Sequence, residues 1–203
     1  LHGSSAASDV YKRQPLPFYV GCFSETSMEM AAQRGLNIIF APFAAAMMFG
    51  GLDQAVSRYR ERCEYHGTPP GRAMCSYFIY IADTPGEDDY GRTAQLDYFR
   101  HCVMPAFPAD PDKAPPTAKY FAKIVENLGK MRKEDLSLNS LLIGSVDRIA
   151  EQLRKVEAAG IEEVILYFNV GNKPHALVVE QMHRFAEELA PLFGTGASMR
   201  DTG

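Results

Sequence analysis

From residue 17 onward, short apolar runs alternate with longer stretches in which apolar residues return every three or four positions. Residues 17–23 (PFYVGCF), 36–43 (LNIIFAPF), 73–82 (AMCSYFIYIA) and 161–168 (IEEVILYF) are the short runs, rich in aromatic and β-branched residues, and they predict four buried strands. A helix is expected after each. Ser24 predicts an N-cap, with Glu25 in the first turn, Met28, Ala31 and Ala32 facing inward, and Gly35 just past the end. Residues 52–66 set Leu52, Ala55, Val56, Tyr59 and Cys63 on one face and stop at GTPPG, a run of turn formers.

Thr84-Pro85 predicts a cap followed by proline at the first helical position, for a helix running from 85 to about 104. Residues 105–116 hold five prolines and read as an irregular excursion. Residues 117–130 then predict a helix with Phe121, Ile124, Val125 and Leu128 inward. Ser145 predicts the cap of a helix reaching Ala159 and ended by Gly160. Residues 174–192 predict the last helix, with Pro174 at its first position and Leu177, Val178, Met182, Phe185 and Leu189 as its apolar stripe.

Strand and helix in alternation imply right-handed βα units and a parallel sheet, hence an α/β fold. Two architectures share that pattern. A doubly wound nucleotide-binding sheet needs a glycine-rich turn after its first strand, whereas the turn here is CFSETS. A (β/α)8 barrel needs eight units and about 250 residues. Only four units are legible. Residues 1–14 carry no apolar period, and DVYKRQ at 9–14 matches the translation of a transposon end used in sequencing adapters. They are expected to be a non-native tail, with the gene cut just before Pro15 and the natural protein starting further upstream. Residues 15–194 are expected to form the folded domain, and the polar, glycine-containing residues 195–203 a disordered tail.

Composition narrows the partners. The chain of 203 residues is 46% hydrophobic and 23% charged with a net charge of −4, and its basic residues are scattered, which argues against nucleic acid. No apolar run approaches the roughly 20 residues of a membrane helix, so no membrane partner is expected. Cys22, Cys63, Cys75 and Cys102 lie far apart, without the spacing of a zinc site or a disulfide framework. They fit reduced thiols in a cytoplasmic protein, and no metal site is expected.

In either architecture the ligand lies at the carboxyl ends of the strands, which selects residues 22–27, 43–48, 82–85 and 169–175. Ser24-x-x-Ser27 at a helix start offers two hydroxyls and several backbone N–H groups along a dipole that favours negative charge, which suits a phosphate monoester. Capping of the helix by Ser24 alone is the plain alternative. His175 near a helix start either faces a pocket or lies in solvent, and Asn169 and Asn172 either bind a ligand or shape a loop. Met47, Met48 and Phe49 either wall an apolar substrate or pack. His66, His101 and His183 read as structural, and Asp88-Asp89 and Glu187-Glu188 as solvated helix faces. No nucleophile constellation or zinc-protease motif is present, so the catalytic residues are unassigned.

FYVGCFSETSMEMAAQRGLNIIF resembles the flavin-phosphate segment of the luciferase-like monooxygenase family, flavin-dependent (β/α)8 enzymes that include the bacterial luciferase subunits. The likeness continues through LDQAVSRYRERCEYHG, LIGSVDRIAEQLRKVEAAGIEEVILYF and ALVVEQMHRFAEELAPLF, with Val146 where many relatives have proline. It implies strands five to eight of a TIM barrel, the C-terminal half, with helices outside the parallel strands. The luciferase pattern Glu-Ser-x-x-Thr falls on Phe23, Ser24 and Ser27, so the resemblance assigns residues 23–27 (Phe23, Ser24, Glu25, Thr26 and Ser27) to the FMN phosphate. Phe23 replaces the acidic residue, and the role of that carboxylate does not carry over.

The resemblance further implies oxygenation of a small organic substrate by reduced FMN and O2, a flavin reductase as supplier, and a homo- or heterodimer when full length. The segment from 105 to 135 would contribute to a lid, and half a barrel alone is expected to be inactive. Two other readings stay open. One is hydride transfer with coenzyme F420 in place of FMN, and the other is a non-catalytic partner subunit.

Overall fold

The computed structural model describes residues 17–107 and 119–194. Their elements are β1 (Tyr19–Gly21), α1 (Glu25–Gln33), β2 (Asn37–Phe40), α2 (Pro42–Phe49), α3 (Leu52–His66), β3 (Ala73–Ile81), α4 (Pro85–Tyr98), α5 (Lys119–Lys130), β4 (Leu142–Gly144), α6 (Val146–Ala158), β5 (Glu163–Tyr167) and α7 (His175–Arg184). The expected tails at 1–14 and 195–203, and most of the 105–116 excursion, lie outside the described residues.

Local chemistry explains most boundaries. α1 ends because Gly35 takes φ 58°, which lets the amides of Gly35 and Leu36 bond back to the carbonyls of Ala32 and Ala31. A side chain at Gly35 would also meet the Pro69 carbonyl at 2.8 Å. The apolar run 36–43, expected to be one strand, divides in two. Its strand ends at Phe40, and Pro42 begins a helix through AAAMMF that Gly50 closes at φ 94°. A continuous apolar run carries no period, so it cannot mark where strand gives way to helix.

β4 has no counterpart among the expected strands. Its three residues, Leu142, Ile143 and Gly144, are all buried but too few to show a pattern. The long helix expected from 85 to about 104 is α only to Tyr98, then a π turn (Phe99–Val103) and a 3-10 turn (Met104–Ala106). The last helix likewise changes to a π turn at Phe185–Leu189 and a 3-10 turn at Ala190–Phe193, with Pro174 at the cap rather than at the first helical position. Met182, expected inward, is 53% exposed, and Gln181 is buried in its place.

All strand pairs are parallel: β1 with β2, β2 with β3, β3 with β4, and β3 with β5. Hydrogen bonds fix which edge of β3 each neighbour takes. The Ile38 amide donates to the Arg72 carbonyl at 2.9 Å and the Ala82 amide to the Gly144 carbonyl at 2.8 Å, so β2 and β4 follow one another along the even-numbered edge. The Glu162 amide donates to the Ala73 carbonyl at 2.9 Å, which puts β5 on the odd-numbered edge. Strands of a barrel taken in sequence would pair β4 with β5. A three-residue β4 offers β5 a shorter ladder than the nine residues of β3, and the sheet does not close into a barrel among the described residues.

The two faces of β3 carry different cores. Ala73, Cys75, Tyr77, Ile79 and Ile81 join Met28, Val56, Tyr59 and Ile149 from α1, α3 and α6. Tyr80 and Ala82, with Phe78 beside them, join Leu96, Phe99, Leu128 and Ile143. Helices therefore cover both faces of β3, in place of the single outer layer expected, because three of its four even-numbered residues, Met74, Phe78 and Tyr80, are also large and largely apolar. β5 is not buried on both faces as its sequence suggests; Glu163 and Tyr167 are exposed.

Candidate phosphate site at the carboxyl ends of the strands

Because every strand runs the same way, the segments after β1, β2, β3, β4 and β5 gather at one edge of the sheet. Ser24 follows β1 and occupies the N-cap of α1 with extended backbone, φ −153° and ψ 160°. Its hydroxyl oxygen accepts from the Ser27 amide at 3.2 Å, and its amide donates to Ser27 Oγ at 3.1 Å. The Ser27 hydroxyl donates to the Ser24 carbonyl at 2.9 Å, and the two hydroxyl oxygens lie 3.1 Å apart. This is a capping box closed by serine instead of the usual glutamate or glutamine.

Counting protons separates the two serines. Ser27 has one hydroxyl proton, and the Ser24 carbonyl takes it, while Ser27 Oγ also accepts from the Ser24 amide. Ser24 Oγ accepts from the Ser27 amide, and its own proton, which can donate to Ser27 Oγ 3.1 Å away, can instead rotate outward to an incoming anion. The amides of Glu25 and Thr26 are the first two of the helix and have no carbonyl four residues back within it. One hydroxyl proton and two amide protons at the positive end of a nine-residue helix make a donor set that fits a phosphate monoester.

The other residues of the segment diverge. The Glu25 carboxylate turns sideways to α3, where it pairs with Arg58 and, at 3.3 Å, with Arg62. Thr26 is exposed on the first turn. The Phe23 ring folds back over Gly21, where an added Cβ would lie 2.8 Å from Phe23 Cε2. Cys22 is buried, and burial pushes its thiol up to about 12, which removes it as a nucleophile.

Asn169, Asn172 and His175 follow β5 and are all exposed. Across the order β1, β2, β3, β5 they stand three strand spacings from Ser24, roughly 14 Å. Lys173 in the same loop is buried, and its ammonium donates to the Val170 carbonyl at 2.5 Å above the Tyr80 ring; desolvation lowers it to about 8. Phe49 packs edge-on against Phe40 at 6.2 Å inside the core, so it is not a substrate wall. Met48 packs against the same core, and nothing is described for the Met47 side chain.

Of the histidines, His66 bonds Glu29 at 2.5 Å, whereas His101 and His183 are exposed. The acidic pairs are helix-surface ion pairs: Asp88 with Arg92, Asp89 with Lys133 at 2.6 Å, and Glu188 with Arg184 at 2.8 Å.

A cleft of about 630 Å3 opens where β3 and β4 end, lined by Thr84, Asp88, Arg92, Ser145 and Arg148 among others. Ser145 holds the N-cap position of α6, yet its hydroxyl makes no capping bond, and the helix starts on the Ser145 carbonyl, which accepts from Ile149 at 3.0 Å. In sequence, residues 82–85 belong to the ligand end, whereas Ser145 reads only as a helix cap and Arg148 carries no signal, because the strand that delivers them was not legible. Among the described residues no cluster of three or more metal-ligating side chains occurs, and no helix is long and apolar enough to cross a membrane.

Structures of known proteins share this fold. The monooxygenase RslO1 from Streptomyces bottropensis is similar at 17% identity and a TM-score of 0.54, over 86% of this chain and 47% of that one. The oxygenating constituent of 3,6-diketocamphane monooxygenase from Pseudomonas putida, solved with FMN, is similar at 20% identity and 0.52, over 86% and 47%. An F420-dependent secondary alcohol dehydrogenase, solved with an F420–acetone adduct, is similar at 14% identity and 0.56, over 89% and 49%. The chain thus spans about half the length of the structures it matches. A search of curated protein sequences finds no match. The sequence profile of the luciferase-like monooxygenases matches residues 4–163, which is most of the chain, and the chain belongs to that family.

Proposed function

We propose that the chain contributes the phosphate-binding part of an FMN-dependent monooxygenase, with the helix start at Ser24 holding the phosphate. The observation that carries this reading is the set of donors at the carboxyl end of β1: the Ser24 hydroxyl proton and the amides of Glu25 and Thr26. Ser27 orders that set from within the capping box. On approach of a phosphate the Ser27 amide exchanges Ser24 Oγ for a phosphate oxygen, giving a third backbone donor. Phe23, lacking a carboxylate, leaves this end free of an acidic side chain on the strand side.

Reduced FMN, when bound, supplies the reaction with O2 that oxygenates a small organic substrate, and a separate reductase supplies the reduced cofactor. The protein binds, orients and keeps water away. A second reading, hydride transfer with coenzyme F420, draws on the likeness to the F420-dependent alcohol dehydrogenase. The phosphate of F420 is a diester with one charge in place of two, and the Ser24 donors would meet it less strongly than the monoester of FMN.

The test is made in the complete gene product by titrating FMN and riboflavin against quenching of flavin fluorescence. Ser24→Ala with Ser27→Ala is expected to weaken FMN at least tenfold and riboflavin little. Equal weakening of both would remove the phosphate assignment. Reconstitution with FMN or with F420, followed by O2 uptake or F420 reduction, separates the two cofactor readings.

A further inference from the structure

The first residue of α1 presents an electrostatic conflict. A carboxylate at that position favours the bare helix, because it faces the positive end of the dipole. It also repels any phosphate drawn to the same end. In this structure the Glu25 carboxylate is turned away and paired: one oxygen meets Arg58, and the other lies 3.3 Å from Arg62. One turn along, Glu29 takes Arg62 at 2.5 Å and His66 at 2.5 Å. The His66 bond, followed by Arg62, holds the Glu29 carboxyl below its ordinary range. Two carboxylates on α1 thus face two guanidinium groups and an imidazole on α3, and all the side chains are at least partly exposed.

Surface ion pairs contribute little to stability, so folding alone is a weak reason for this concentration of charge. Its position beside the phosphate donors gives it a second consequence. We propose that Arg58 and Arg62 are positioning residues for the cofactor phosphate: from α3 they draw the Glu25 carboxylate aside and neutralise it, so that the start of α1 keeps its attraction for an anion. This rests on the phosphate reading above.

The size of the effect follows from Coulomb's law. For a carboxylate and a phosphate dianion separated by one Debye length, about 8 Å at physiological salt, an effective dielectric between those of the protein surface and water gives a roughly three- to tenfold weakening of binding. Riboflavin has no phosphate and is insensitive to it.

The experiment measures FMN and riboflavin affinities of the complete gene product by fluorescence quenching. Arg58→Gln with Arg62→Gln is expected to weaken FMN about three- to tenfold, to leave riboflavin within twofold, and to recover FMN affinity when Glu25→Gln is added. A structural role alone would weaken both flavins together and would not be relieved by Glu25→Gln; that result overturns the proposal. Should the double variant fail to fold, Arg58→Gln by itself decides, with about twofold FMN-selective weakening and the same recovery expected. Ser24→Ala with Ser27→Ala runs alongside. If that pair discriminates FMN from riboflavin and the arginine variants do not, the positioning role fails alone; if it does not discriminate, the phosphate reading fails and takes the positioning role with it.

Discussion

Gln181 replaces a strand. Beyond the end of β5, the odd-numbered edge of β3 has no strand partner at Ile81 among the described residues, and a side-chain amide from α7 takes its place: the Ile81 amide donates to Gln181 Oε1 at 2.6 Å and Gln181 Nε2 donates to the Ile81 carbonyl at 3.0 Å. Gln181 is 3% exposed and Ile81 fully buried, so neither backbone group has water as a substitute. Gln181→Leu keeps the volume and deletes both bonds. Each buried polar group left unpaired costs about 1–3 kcal/mol. The carbonyl keeps a long contact with the Arg184 guanidinium at 3.4 Å, and leucine regains about 1 kcal/mol through apolar burial.

A net loss of about 2–3 kcal/mol is therefore expected from urea unfolding followed by far-ultraviolet circular dichroism. Gln181→Glu refines the argument. As a carboxylate it accepts from the Ile81 amide but opposes the Ile81 carbonyl, and only its protonated form reproduces both bonds. Its pKa is thus raised in the folded state, the folded chain binds the proton more tightly, and stability recovers as pH falls. Gln181→Leu has no such recovery. A loss below 1 kcal/mol for leucine, or a glutamate variant no better at pH 4.5 than at pH 7 relative to the parent, would refute the claim that Gln181 completes the sheet.

Two further substitutions probe the second core. Alanine at an ordinary helical glycine stabilises by about 1 kcal/mol, but at Gly91 an added Cβ meets Tyr80 Cδ1 at 2.6 Å and Ile143 Cγ2 at 3.3 Å, so Gly91→Ala is expected to destabilise by about 1–3 kcal/mol and lower Tm; a raised Tm would show that the contact yields. Lys173 is lowered from about 10.5 to about 8 by desolvation, so between those pH values the unfolded chain binds the proton more tightly and the parent gains stability as pH rises, by at most about 3 kcal/mol. Lys173→Met removes that gain, and the parent-minus-variant difference in unfolding free energy is expected to grow between pH 7 and pH 9.5. A flat difference would contradict it. Taking the difference cancels Cys22 and Cys75, whose raised thiols lose stability as pH climbs above 9.

Elements with a strong period were legible, and those without one were not. α3 shows its stripe in sequence, and Ala55, Val56, Tyr59 and Cys63 are all buried. α1 and α4 announced themselves through Ser24 and Thr84, both of which close capping boxes. α2 was hidden inside an apolar run, β4 was too short for any pattern, and Gln181 broke the apolar stripe expected of its helix. A buried glutamine is visible only to reasoning that knows which backbone groups elsewhere lack partners, and that is a tertiary fact. The edge taken by β5 is tertiary in the same sense, since it depends on the relative lengths of β3 and β4.

The candidate site divides along the same line. Ser24 and Ser27 were recognisable because hydroxyls three apart at a helix start have a local meaning, and the structure joins them through bonds within one turn. Their different duties were not recognisable, since those depend on where each proton goes. Nor was the fate of Glu25, which a sequence reading places with the phosphate ligands because its amide belongs there. Arg58 and Arg62, 33 and 37 residues further on, take the carboxylate elsewhere. A residue can thus serve a site with its backbone while its side chain is a liability to it, and the compensating charge can sit on a different helix. Sequence motifs, which treat a residue as one object, merge those two roles; the geometry of α1 against α3 separates them.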